Sequence, residues 1–142
     1  MRANLPDKAW FVGKPLPTRP DLVVSEYIGS GNDGHVFRAH SGELQRDFAC
    51  KVIPRSNLAG LSEPTPRWRI EVEKANTLQS PVVVRFVDIK EWVDAGHHID
   101  CIVLISDFVI GQNLSKFIAK NRHEITMGFI LHYLETMLDL FN

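Results

Sequence analysis

Tyr27-Ile28-Gly29-Ser30-Gly31-Asn32-Asp33-Gly34-His35-Val36-Phe37-Arg38-Ala39 is the stretch whose reading decides the fold. Leu22, Val23, Val24, Tyr27 and Ile28 form a β-prone run ahead of the glycines, and residues 35–39 form another directly behind them. Two such runs around a Gly/Asn/Asp turn predict a hairpin. The spacing Gly29-x-Gly31-x-x-Gly34 also fits the dinucleotide fingerprint, which needs a helix straight after the glycines, its N-terminus facing a pyrophosphate. Here Ser41-Gly42 closes the second run too soon for that helix, and no acidic residue is well placed at the end of a second strand. The hairpin is therefore the expectation. Glycines in a hairpin let backbone N–H groups approach phosphate oxygens with no side chain in the way. An ordinary glycine-rich surface turn is the plainer alternative.

Downstream, residues 47–53 read as a third strand, with Phe48, Cys50 and Val52 on one face and Ala49, Lys51 and Ile53 on the other. Residues 54–66 read as loop. Thr65 and Pro66 suit an N-cap and first helical position, and a helix is expected to about Leu78. Trp68, Val72, Ala75 and Leu78 form its apolar stripe, with Glu71 beside it. Residues 82–89 and 99–106 read as two more strands. Residues 114–120 and 124–141 read as helices, the second apolar on more than one face. Upstream, Pro6, Pro15, Pro17 and Pro20 disfavour helix and central-strand pairing, so residues 1–21 read as an extended arm whose Trp10, Phe11 and Val12 can dock. The expected class is α+β: a five-stranded antiparallel sheet with one helix packed on it, then two C-terminal helices.

Composition narrows the function classes. The chain has 142 residues, 44% hydrophobic and 23% charged, which suits a globular domain rather than a disordered one. Sixteen Lys and Arg against 17 Asp and Glu give a net charge of -1, so no global excess of positive charge drives binding to nucleic acid or anionic lipid. The longest aliphatic stretch, residues 102–105, is far short of the ~20 residues of a membrane span, and no basic-then-apolar leader opens the chain. Cys50 and Cys101 sit in apolar runs and read as buried, reduced thiols of a cytoplasmic protein. His97 and His98 are adjacent on the way into a strand and point to opposite faces, which argues against a shared metal with Cys101, and no metal site is expected.

Lys51 lies where a hairpin folded over it would let its ammonium meet phosphates. Such a lysine needs a fixed counter-charge. Glu71, flanking the buried stripe, suits that role better than Glu73, and unrelated surface charges are the plainer alternative.

Gly29-Ser-Gly31-Asn-Asp-Gly34-His-Val36, then Ala49-Cys-Lys51, then Glu71, resembles the N-terminal lobe of the eukaryotic-type, serine/threonine-like protein kinase family. The similarity runs over roughly residues 22–142. It implies a kinase-like lobe with its hinge over residues 22–111 and the start of a second lobe, two helices, over 112–142. The chain is then expected to stop inside the second of these, ahead of the catalytic and metal-binding motifs. By the resemblance, Gly29, Gly31 and Gly34 cover the phosphates of ATP, with Ile28 at the edge of the loop. Val36 and Ala49 line the adenine slot, and Lys51 holds the α- and β-phosphates, paired with Glu71. Backbone groups of Asp107 to Val109 meet the adenine edge, and Ser106 is a small gatekeeper. Asp33 departs from the family's small or aromatic loop tip, and a carboxylate there repels phosphates unless it points to solvent. The implied function is the ATP-binding lobe of a protein kinase, with magnesium and a protein substrate belonging to the complete enzyme. This chain by itself is expected to be inactive. The alternative is a non-catalytic kinase-like module acting through a partner. The apolar C-terminal helix predicts self-association.

Overall fold

The computed structural model describes residues 7–31, 33–57, 67–77 and 83–139, without the side chains of Arg67, Trp68, Glu71 and Ala75. Thr65, Pro66, Leu78 and residues 140–141 of the expected helices therefore lie outside the described residues. The elements are α1 (Lys8–Phe11), β1 (Pro15–Leu16), β2 (Arg19–Ser30), β3 (His35–Ser41), β4 (Arg46–Pro54), α2 (Arg67–Thr77), β5 (Phe86–Asp94), β6 (Ile99–Asp107), α3 (Leu114–Lys120) and α4 (Met127–Asp139). The class is α+β. The strands form one antiparallel sheet in the order β1-β2-β3-β4-β6-β5.

The sheet has six strands where the sequence predicts five. The extra strand is β1, in the stretch whose prolines argued against pairing. Proline lacks an N–H but is admitted on an edge strand, and β1 is an edge, with Pro15 opposite Val23 and Leu16 opposite Arg19. Gly13, at φ 83°, turns the chain from α1 into this strand, and its N–H donates to the Val24 carbonyl at 2.8 Å. The fourth predicted strand, residues 82–89, is found later as β5. It runs on until Asp94 accepts the His97 N–H at 3.2 Å and caps a 3-10 turn. The last helix begins at Met127 rather than residue 124, because the Thr126 hydroxyl oxygen accepts the Phe129 N–H at 3.2 Å as an N-cap.

Alternation along the strands divides the sheet into two apolar faces. On one, Phe37, Phe48, Cys50, Val52 and Val103 are buried together with Phe11 and Leu16 from the N-terminal arm. Phe11 packs on Phe37 at 5.3 Å and edge-on to Trp92 at 5.1 Å, so the arm closes this face. Of the three residues expected to dock, Phe11 is buried, Trp10 is partly buried, and Val12 stays exposed. On the other face, Ile53, Ile102 and Leu104 pack with Val72 of α2 and with Phe86.

The chain divides into two compact units, residues 1–79 with 83–108, and residues 80–82 with 109–142. In the second unit the Asn113 side chain caps α3 by accepting the Lys116 N–H at 2.9 Å. Phe117 of α3 stacks on Phe129 of α4 at 5.6 Å. Met127, Leu131, Leu134 and Leu138 remain exposed along α4.

Candidate functional site

Directly opposed residues on neighbouring antiparallel strands share a face. The register places Gly29, Val36, Lys51, Leu104 and Ile89 in one row across the sheet, and Arg38, Ala49, Ser106 and Phe86 in the next. Both rows lie on the face that carries Ile53, Leu104 and Val72. Gly29, Val36, Ala49, Lys51 and Ser106, expected from sequence to act together, are thus brought onto one surface. Ile28 sits at the irregularity between Tyr27 and Gly29, where the register shifts, and is half exposed. The Lys51 side chain is 28% exposed.

No helix follows Gly34. The chain enters β3 at His35, and the Gly31 N–H donates to the Gly34 carbonyl at 2.9 Å to close the turn. This arrangement excludes the dinucleotide fold. The three glycines are not equivalent. A Cβ on Gly29 or Gly31 would meet nothing within 4 Å, whereas on Gly34 it would lie 2.0 Å from the Val52 carbonyl oxygen. Gly34 is therefore required by its close approach to β4. The open space beside Gly29 and Gly31 is what a loop lying over a bulky anion needs.

The tip of the loop folds inward. The Asp33 carboxylate lies 3.6 Å from the Lys51 ammonium, and the Asn57 side-chain amide donates to the Asp33 carbonyl at 3.3 Å. Sequence reasoning expected this carboxylate to repel phosphates unless it faced solvent. Instead it faces the lysine. The expected Lys51–Glu71 pair lies outside the described side chains. The backbone places Glu71 on α2, next to Val72, and Val72 is buried on the sheet face that carries Lys51. Glu73 is exposed.

At the end of β6, Asp107 is held by charge. Its carboxylate pairs with Arg46 and, at 3.2 Å, with Arg85, and its N–H donates to the Arg85 carbonyl at 3.0 Å. The Asp107 side chain is thus an anchor, and any contact with a base would fall to the main chain. The Arg38 guanidinium lies 4.9 Å from the Phe108 ring and donates from Nε to Asp47 at 3.0 Å. That hydrogen bond, reinforced by His40, holds the Asp47 carboxyl below its ordinary range. Val109 belongs to the second unit and is exposed. Among the described residues, no group of three or more His, Cys, Asp or Glu side chains could hold a metal ion.

No protein-family model matches the chain. It is 27% identical over 111 residues to the serine/threonine-protein kinase PrkC of Bacillus subtilis, covering 78% of this chain and 16% of the kinase. It is 29% identical over 111 residues to the serine/threonine-protein kinase ULK3 of Rattus norvegicus, covering 78% of this chain and 22% of the kinase. With the serine/threonine-protein kinase pkn3 of Myxococcus xanthus the identity is 26% over 115 residues, covering 81% of this chain and 20% of the kinase. The chain resembles serine/threonine protein kinases. The matches span only 16–22% of those kinases' lengths, which is the scale of one piece of such an enzyme. Among the described residues, no helix is long and apolar enough to cross a membrane.

Proposed function

We propose that this chain is the ATP-binding N-terminal lobe of a serine/threonine-type protein kinase, with α3 and α4 as the opening helices of the second lobe. The observation that carries the assignment is the position of Lys51. It stands on one sheet face beside Val36 and Ala49, beneath a glycine hairpin whose tip reaches its ammonium. The residues present fit a nucleotide. The space beside Gly29 and Gly31 is open, Val36 and Ala49 offer an apolar surface, and Lys51 supplies a half-sheltered cation.

In this assignment Ile28, Val36 and Ala49 hold the adenine by apolar contact, and main-chain groups of Asp107 fix its edge. Ser106 leaves space behind it. Lys51 orients the α- and β-phosphates, and Glu71 steadies Lys51. Bound ATP with magnesium supplies the phosphoryl group that a complete kinase transfers to a protein hydroxyl. The lobe contributes orientation and charge neutralisation rather than covalent chemistry. Buried, unpaired Cys50 and Cys101 suit a cytoplasmic protein. The exposed apolar residues of α4 are the surface through which we expect the chain to self-associate.

The test is Lys51→Met in the intact protein. Affinity for a fluorescent ATP analogue should fall at least tenfold, because a charge-assisted contact is lost, while the thermal melt stays within about 2 °C. Equal affinity for nucleotide in both proteins would refute the role of Lys51. Absence of nucleotide binding in both proteins would favour the kinase-like module that works without phosphotransfer.

A further inference from the structure

Among the described residues, Asp33 is the carboxylate within ion-pair reach of Lys51, at 3.6 Å. Its position is set by more than that one contact. The Gly31 N–H to Gly34 carbonyl bond shapes the turn, and Asn57, in the 3-10 turn that follows β4, holds the Asp33 carbonyl at 3.3 Å. The loop tip is thus pinned through its main chain, and its side chain is aimed at the lysine. To an ammonium, a carboxylate oxygen and a phosphate oxygen are equivalent partners, each an anionic acceptor. Both cannot crowd the same cation without repelling each other.

We propose that Asp33 is a tethered competitor for the phosphates of the nucleotide. This rests on the assignment of Lys51 as the phosphate lysine. Without nucleotide, the Asp33 carboxylate occupies the ammonium and keeps the hairpin closed on the sheet. A nucleoside triphosphate displaces the carboxylate and lifts the tip. Because the competitor is part of the chain, dilution cannot remove it. It raises the nucleotide concentration needed for occupancy, and it selects for ligands with enough phosphate charge to win the lysine. A triphosphate should gain more than a monophosphate when the competitor is removed. The contact is partly exposed, so the effect is modest: exposed ion pairs of this kind change an equilibrium constant by up to about fivefold, and relief of repulsion toward phosphate adds to that.

The experiment compares wild type, Asp33→Asn, Lys51→Met and the double variant of the intact protein. Fluorescent analogues of ATP and AMP are titrated at low and high salt, and hydrogen exchange of residues 29–36 is followed without nucleotide. Asp33→Asn should tighten ATP-analogue binding about three- to tenfold at low salt and less at high salt, with a smaller gain for the AMP analogue. In the Lys51→Met background the same change should give a smaller gain, limited to the relief of repulsion between carboxylate and phosphate. Loop exchange should speed up in both single variants and no further in the double. Unchanged or weaker binding by Asp33→Asn, with Lys51→Met still weakening it, would overturn the competitor role and leave the nucleotide assignment intact. Unchanged loop exchange in both single variants would overturn it as well, because the contact would then not be holding the tip. If none of the four proteins binds either analogue, the nucleotide assignment fails and the competitor role falls with it.

Discussion

Gly34→Ala should be far more damaging than Gly31→Ala, for reasons that have nothing to do with phosphate. A Cβ at Gly34 would sit 2.0 Å from the Val52 carbonyl oxygen, 2.9 Å from its carbon and 3.1 Å from the Ile53 Cα. The oxygen is roughly 1.4 Å closer than ordinary contact at 3.4 Å allows. All three atoms are backbone, so no rotamer change relieves the clash. The strand that carries them is β4, held between β3 and β6, and β3 is itself held between β2 and β4. One strand must shift by about an ångström, which disrupts the ladder where His35 faces Val52. Overpacking of this kind costs ~1–3 kcal/mol, and a lost backbone hydrogen bond adds ~1 kcal/mol. A loss of about 2–4 kcal/mol in a chain this size lowers Tm by about 10 °C. At Gly31 a methyl group meets nothing within 4 Å, so stability should change by less than ~0.5 kcal/mol. Thermal and urea melts of the two variants beside wild type decide the matter. Equal melts for Gly34→Ala and wild type, or equal losses for both variants, would refute the claim that β4 dictates the third glycine.

Phe11→Ala should cost ~3–5 kcal/mol by urea denaturation, because Phe11 is fully buried against Phe37 and Trp92; a loss under ~1 kcal/mol would mean that the arm does not close the sheet. Cys50 and Cys101 are buried, and burial pushes their thiols up to about 12 and about 11. Both should resist a chromogenic thiol reagent at pH 8 in the native protein and react fully in urea; rapid labelling of the folded chain would contradict this burial. Asp21 accepts from Arg19 Nη2 at 2.8 Å and from the buried Ser41 hydroxyl at 3.0 Å, and the Arg19 hydrogen bond chiefly holds its carboxyl below the ordinary 3.8. A carboxyl lowered in the folded state stabilises the fold above its unfolded value and loses that contribution as pH falls through its folded one. Asp21→Asn should therefore cost ~1–2 kcal/mol at pH 7, and its gap from wild type should narrow below pH 3.8. A gap that stays constant down to pH 2.5 would show that the carboxylate's charge contributes nothing.

The parts of the fold legible in the sequence are those governed by short-range periodicity. The alternation Phe48, Cys50, Val52 against Ala49, Lys51, Ile53 already assigns Lys51 to the face opposite the aromatic core, and burial along β4 follows it. The hairpin at Gly29 to Gly34 is legible because the second β-prone run leaves no length for a helix. β1 is not legible, since two residues carry no period and Pro15 argues against a strand until its edge position is known. The direction of the Asp33 side chain is not legible either. It depends on Lys51 and Asn57, which tertiary folding brings to the loop tip from within β4 and from the turn that follows it.

The glycine motif shows why one signature can carry unequal information. In sequence, Gly29, Gly31 and Gly34 form a single pattern, and one physical reason, room for phosphate, accounts for all three. In the fold, strand register divides them. Gly29 and Gly31 border open space, and Gly34 is pressed onto the backbone of β4. The first two are free to change if nucleotide binding is lost, while the third stays necessary for as long as β3 lies beside β4. A kinase-like lobe that had abandoned ATP would therefore still need Gly34, so that glycine reports the sheet rather than the ligand. In the proposed assignment, Gly31, Asp33 and Lys51 are among the residues that bear on nucleotide. Substituting these three should leave the backbone ladder in place, so their effects on binding should be readable without a loss of fold.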